Sequence, residues 1–281
     1  MLIRARMQAN SGIGDRHRRC YTVAMRIATF NINGTAARLP RLLEWLAATQ
    51  PDVACLQEIK TVSENFPVEA LREAGYHCLV HGQKGFNGVA ILSKEPATET
   101  QRGLPGDDGD EQSRYLEADV GGVRVASIYL PNGNPQPGPK FDYKLAWLAR
   151  LERHAATLFA TELPVVLAGD YNVIPTDADV FSPAAMADDA LTQPESRAAY
   201  RRLLYAGWMD AIRARTPTGP VYTFWDYQAG AWARNNGLRI DHLLLSPRAA
   251  DRMTDAGVDH KVRGAERASD HAPVWVDLRA G

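Results

Sequence analysis

Residues 164–172, Pro164-Val165-Val166-Leu167-Ala168-Gly169-Asp170-Tyr171-Asn172, are an apolar run that leads into a carboxylate and a carboxamide. Four consecutive apolar residues after a proline read as a buried strand running straight into Asp170. The longest helical segment of the chain, Pro139–Thr161, precedes it, with Leu145, Leu148, Leu151 and Leu158 on one stripe. Before that helix, Tyr115–Val120 and Val123–Leu130 read as a hairpin turned at Gly121-Gly122, where positive φ costs little. Strand–strand and strand–helix units therefore alternate around this run.

The same alternation extends outward in both directions. Upstream, Arg26–Asn33 reads as a strand. Pro40–Thr49 reads as a helix, with Leu42, Leu43, Trp45 and Leu46 at helical spacing and Pro51 as its stop. Asp52–Lys60, His77–Gln83 and Gly88–Ser93 are further strands. Downstream come a helix at Ser196–Tyr205 and strands at Val221–Trp225, Leu238–Leu245 and Ala272–Leu278. This mixture predicts an α/β fold of two mixed β-sheets packed face to face with helices outside. The Gly- and Pro-rich stretches 103–109 and 133–139 read as surface loops rather than linkers, so residues 25–279 are expected to form a single catalytic domain.

Composition bounds the function. The chain has 281 residues, 45% hydrophobic and 23% charged, which allows a substantial core. No apolar run reaches the ~18 residues of a membrane helix. The formal net charge of −1 advertises no polyanionic partner, so a nucleic-acid enzyme of this composition must gather its basic residues on one face. Cys20, Cys55 and Cys78 are too sparse for a disulfide framework and have no zinc-ligand spacing, which points to a reducing cytosol. Residues 1–24 carry Arg4, Arg6, Arg16, Arg18 and Arg19 against Asp15 alone. They are expected to be a disordered tail, or to lie upstream of a true start at Met25.

Chemistry-bearing side chains stand at the ends of these strands: Asn31 and Asn33 after Phe30, Glu58 after Leu56-Gln57, Asp170 and Asn172, Asp241 after Arg239-Ile240, and Ser269-Asp270-His271. Phosphodiesters resist attack because their anionic oxygens repel nucleophiles, and a hard divalent cation held by carboxylate and carbonyl oxygens relieves that. Glu58, the Asn31 carboxamide and Asp270 are the candidate ligands. Asp170 and Asn172, two apart in extended backbone, point the same way, so one can activate water while the other holds a phosphate oxygen. His271 can place positive charge on the developing phosphorane, kept protonated by Asp241. Tyr129 stands where it can meet the scissile phosphate or the leaving oxygen.

The ordered set Phe30–Gly34, Leu56–Glu58, Asn87–Ile91, Tyr129–Gly133, Gly169–Asn172, Leu238–Asp241 and Ser269–Trp275 resembles the exonuclease III branch of the endonuclease/exonuclease/phosphatase superfamily, across 25–278. The resemblance implies a four-layer α/β sandwich. It also implies a Mg²⁺-dependent hydrolase, with Mn²⁺ able to substitute, that trims double-stranded DNA from 3′ ends and nicks 5′ to abasic sites in base excision repair. It makes Glu58 the principal metal ligand, with Asn31 and Asp270 in or near the metal shell and Asp170, Asn172 and His271 at the same site. Asp170 prepares water or protonates the leaving group, Asn172 stabilises the transition state, and Tyr129 and the Asp241–His271 pair act at the phosphate. Asn33, Lys60 and Asn132 lie near metal or phosphate. Phe224, Trp225 and Ile240 are candidate walls of a pocket for a base-less sugar, and Arg234, Asn235 and Asn236 candidate contacts to the damaged strand. Leu238 replaces a Trp found in animal relatives, which points to a bacterial branch. A cytoplasmic, nucleoid-associated monomer is the expectation. Two other readings share the scaffold: a catalytically silent RNA- or protein-binding regulator, disfavoured by the intact carboxylates, and a small-molecule or lipid phosphodiesterase. The inositol phosphatases carry Pro-Ala-Trp-Cys-Asp-Arg where this chain has Gly237–Asp241.

Overall fold

The computed structural model describes residues 23–280. The expected tail lies outside the described residues except for Val23 and Ala24, which open the first strand. In chain order come β1 (Val23–Asn31), α1 (Thr35–Thr49), β2 (Val53–Gln57), α2 (Val68–Glu73), β3 (His77–His81), β4 (Val89–Ser93) and β5 (Thr98–Arg102). Then follow β6 (Tyr115–Val120), β7 (Val123–Tyr129), α3 (Pro139–Phe159), β8 (Val165–Asp170), α4 (Pro194–Tyr205) and β9 (Met209–Asp210). The chain closes with α5 (Ala211–Arg215), β10 (Asp241–Leu245), α6 (Pro247–Ala250), β11 (Met253–Val258) and β12 (Val274–Arg279).

The strands form two six-stranded sheets, ordered β11-β12-β1-β2-β4-β3 and β5-β6-β7-β8-β10-β9. Both are mixed: β1 runs parallel to β2 and β7 parallel to β8, whereas β12, β4, β6 and β10 flank them antiparallel. Side chains alternate between the faces of a strand, and this sorts the layers. In β1, Ile27 faces the other sheet, while Ala28 and Phe30 pack under Leu42, Trp45 and Leu46 of α1. In β8, Val166 and Ala168 face inward, and Val165 and Leu167 pack under Trp147, Leu148 and Leu151 of α3. The result is helix, sheet, sheet, helix: the expected four-layer sandwich. Among the described residues, no helix is long and apolar enough to cross a membrane. Cys55 is buried in the inner core, Cys78 is half-buried, and both are free.

Towards the C-terminal ends of the parallel strands the inner face turns polar. Thr29 Oγ1 donates to Gln57 Oε1 at 3.0 Å, Gln57 Nε2 to Ser127 Oγ at 2.9 Å, and Ser127 Oγ to the Leu56 carbonyl at 2.9 Å. All three residues are fully buried, so an unmet partner here would cost ~1–3 kcal/mol. Two residues further along β1 and β7 lie Asn31 and Tyr129, and Asp170 follows the inward Ala168 in β8. Alternation therefore aims them at one place.

Sequence and structure differ where the apolar pattern misleads. The first helix starts at Thr35, not Pro40; the proline sits inside it at the cost of one backbone hydrogen bond. β5 was not expected, because Thr98–Arg102 is a polar, mostly exposed edge strand with no apolar alternation. β11, a half-exposed edge, went unread for the same reason. Val221–Trp225 is not a strand: Phe224 forms only isolated bridges to Leu238 and His271, and β10 begins at Asp241 rather than Leu238. The Thr223 hydroxyl there caps the amides of Ile240 and Asp241, each at 3.1 Å.

Gly169 fixes the approach of β7 and β8 just before Asp170. A Cβ at this position would stand 2.0 Å from the Ile128 carbonyl oxygen, so the strands must part to admit one. Gly169→Ala is expected to destabilise the fold by about 1–3 kcal/mol or more, read as a lowered Tm in thermal denaturation. A Tm equal to that of the parent would contradict this packing.

Candidate active site

Asn31 and Asp170 meet across the sandwich. Asn31 Nδ2 donates to Asp170 Oδ2 and to Glu58 Oε1, both at 2.9 Å, while its Oδ1 accepts the Asn33 amide at 3.0 Å. The carboxamide thus bridges two carboxylates through its N–H groups. Its oxygen is turned away from them. Glu58 leaves β2 at φ 50°, and Lys60 follows at φ 53° with Nζ 2.7 Å from Glu58 Oε2. Lys60 also donates to Asn33 Oδ1, whose Nδ2 donates to Asp270 Oδ1 at 2.9 Å. Ser269 Oγ, bonded to the Asn31 carbonyl at 2.7 Å, ties the Asp270–His271 segment to the end of β1.

Asp241 lies directly opposite Asp170 in the β8–β10 register, on the same inner face. It accepts from His271 Nδ1 at 2.8 and 3.1 Å, which leaves His271 Nε2 3.8 Å from Asp170 Oδ2. Burial disfavours the His271 charge, but the Asp241, Asp170 and Asp270 carboxylates outweigh it and hold the imidazole's pKa up at about 10. Held protonated in this way, His271 brings positive charge to the site. Asp170 is pushed up to about 7, chiefly by burial and by Asp241 and Glu58, with His271 and Asn31 opposing. Glu58 goes the other way: its burial is outweighed by the hydrogen bonds from Asn31 and Lys60. Burial raises the Tyr129 phenol well above its usual range, with Glu58 and Asp170 adding to it, so Tyr129 stays a donor.

The side-chain atoms of Glu58, Asp170 and His271 lie within 4.8 Å of one another. With the imidazole protonated, the oxygen donors in this group are two carboxylates, a set that suits a hard divalent cation. They open into a cleft of about 670 Å³, also lined by Tyr129, Asn132, Asn172, Asp270 and Arg234. Asn172, at φ 47°, donates through Nδ2 to the Leu130 carbonyl and accepts from Asn132 Nδ2, both at 3.0 Å. Asn33 lies behind this rim.

The apolar end of the cleft differs from expectation. Phe224 and Ile240 line it, and the Phe224 ring packs on His271 at 5.0 Å. Trp225 does not: its ring is 1% exposed, packed on Trp232, with Nε1 bonded to Asn235 Oδ1. Adjacent residues point oppositely here, so only one of the two aromatics can face the cleft. Leu191, Leu238, Met186 and Phe181 complete the wall instead. Phe181, Met186 and Leu191 come from the irregular segment between β8 and α4, where no periodicity marks them. Arg114, stacked 4.7 Å over the Tyr129 ring, also carried no sequence signal. In the metal-free protein, ¹⁵N-edited NMR is expected to find His271 still protonated at both nitrogens at about pH 8, and Asp241→Asn to lower its pKa by about one unit or more. A parent His271 that deprotonates in the ordinary imidazole range contradicts the arrangement.

Comparison with known proteins agrees with this geometry. The model of the Endonuclease/Exonuclease/phosphatase family matches residues 28–271. Exodeoxyribonuclease III of Haemophilus influenzae is 36% identical over 91% of this chain and its own whole length. Among solved structures, an AP endonuclease from Archaeoglobus fulgidus superposes with TM-score 0.87 at 36% identity, covering 91% of this chain and all of its own. The 3′ phosphatase NExo from Neisseria, bound to a product DNA hairpin, gives TM-score 0.88 at 39% identity over 92% of this chain and all of its own. The chain belongs to the endonuclease/exonuclease/phosphatase family, in its exonuclease III branch.

Proposed function

We propose that the protein is a divalent-metal-dependent DNA-repair hydrolase that removes nucleotides from the 3′ ends of duplex DNA and incises 5′ to abasic sites. The observation that carries this reading is that the acidic centre and an apolar recess share one cleft. A phosphate at Glu58 and Asp170 would have its neighbouring sugar directed towards Phe224, Leu238 and Ile240. The apolar walls favour a sugar without a base over a charged headgroup, because a charge set against Phe224, Leu238 and Ile240 would lose hydration without a polar contact from them. The named activities of the bacterial and archaeal relatives support the same substrate.

Mg²⁺ is the proposed cofactor, held by Glu58 and Asp170 with Asp270 nearby, and when bound it supplies Lewis-acid charge neutralisation at the phosphate. The chain's own groups do the rest. Asp170 is the proposed group that takes a proton from the attacking water or returns one to the leaving oxygen, its pKa of about 7 in the metal-free protein being one that a bound cation would lower. The His271 imidazolium, fixed by Asp241, faces the charge that develops on the phosphoryl oxygens. Tyr129 and Asn172 add neutral donors from the other side of the cleft.

The test is cleavage of a recessed duplex and of a duplex with one abasic analogue, in Mg²⁺, Mn²⁺ or EDTA, beside bis-nitrophenyl phosphate and an inositol phosphate. Metal-dependent cutting of both DNA substrates is expected. Asp170→Asn is expected to lower kcat by ~10²–10⁴ while DNA binding persists. DNA left intact with either metal contradicts the proposal, and undiminished turnover of the variant removes Asp170 from proton transfer.

A further inference from the structure

One fully buried charge has no part in the chemistry just described. Lys144, in the second turn of α3, is 0% exposed. Its ammonium donates to the Asn172 carbonyl at 2.6 Å, the Asn132 carbonyl at 2.9 Å and the Ala190 carbonyl at 3.3 Å. Three protons meeting three acceptors is an arrangement that only an ammonium completes. Burial pushes the Lys144 pKa down to about 7, opposed by the Asp189 and Asp170 charges, so the carbonyls are its direct partners.

The three carbonyls lie on three separate segments: the turn after β8, the loop between β7 and α3, and the approach to α4. All three segments carry side chains that line the cleft, Asn172, Asn132 and Leu191 among them, and Asn132 Nδ2 is bonded to Asn172 Oδ1. Asn172 adopts φ 47°, a left-handed conformation open to asparagine. Gly133 is shaped to the same group, at φ 93° with the position of a Cβ only 2.7 Å from Lys144 Cδ. Nothing places Lys144 itself on the cleft surface.

We propose that Lys144 is a positioning residue: its ammonium clamps the backbone of Asn132, Asn172 and Ala190, so that the Asn172 amide meets the reacting phosphate at a fixed place. The proposal rests on the phosphodiesterase reading of the cleft. Misplacement of a reacting contact by about an ångström costs up to ~10²-fold in rate, which sets the scale of the effect.

A double-mutant cycle on kcat tests it, with Lys144→Met, Asn172→Ala and the double variant acting on a recessed DNA duplex. Lys144→Met is expected to keep a cooperative thermal transition and a Kd for DNA within about threefold of the parent, and to lose tenfold or more in kcat. The double variant is expected to match Asn172→Ala within about twofold, because both changes remove one function. A Lys144→Met kcat within about twofold of the parent, or losses that multiply in the double variant, overturns the proposal. If Lys144→Met does not fold, Gly133→Ala displaces the same side chain, and the same two outcomes decide. A parent without turnover on DNA contradicts the phosphodiesterase reading; an active parent whose losses multiply contradicts only the clamp.

Discussion

Four carboxylates, Glu58, Asp170, Asp241 and Asp270, are gathered where the C-terminal ends of the central strands meet across the sandwich. Confining like charges away from water is costly, and here His271 and Lys60 meet only part of it. The remainder shows as Asp170 pushed up to about 7, a group whose ionised form added positive charge would favour. The side chains gathered here leave the carboxylates with a deficit of positive charge. That deficit explains why amide N–H groups from Asn31 face two carboxylates, and why the imidazole between Asp241 and Asp170 is a cation.

Holding such a centre demands support that is itself buried and polar. The Thr29–Gln57–Ser127 layer sits beneath it, and the Thr223 and Ser269 hydroxyls fasten the irregular segments around it. Behind the apolar recess, Arg239 is 1% exposed and paired with Asp179 at 2.6 Å and Asp210 at 2.7 Å. This ion cluster anchors the segment after β8 to the start of β10, and removing one member would leave buried charge at a cost of ~3–5 kcal/mol. Lys144 does the corresponding work on the other side of Asn172. The loops that line the cleft are thus pinned from below by Arg239 and Lys144, neither of which lines it.

The layered fold and the convergence of Asn31, Asp170 and Asp241 were legible in the sequence because strand alternation is a local signal. Val166, Ala168 and Asp170 share a face whatever the rest of the chain does, and so do Ile27 and Asn31. The direction of the Trp225 ring was not legible, since Val221–Trp225 looks like a strand and is held instead by Thr223, Leu238 and Asp270. Phe181 and Met186 reach the recess from a segment ordered by tertiary contacts alone. Lys144 falls on the apolar stripe of α3, with Phe141, Trp147 and Leu148 at helical spacing, but the three carbonyls that meet it come from segments distant in sequence. Residue type and order located the chemistry; which atom of Asn31 or His271 faces it required the neighbours.

The account therefore turns on whether a cation settles between the carboxylates while the imidazole keeps to Asp241. Anomalous diffraction from crystals soaked in Mn²⁺ addresses this directly. The account predicts a peak in contact with Glu58 and Asp170, with His271 Nδ1 still bonded to Asp241 and its ring nitrogens outside the coordination sphere. A peak ligated by His271, or manganese bound only elsewhere on the molecule, would contradict it.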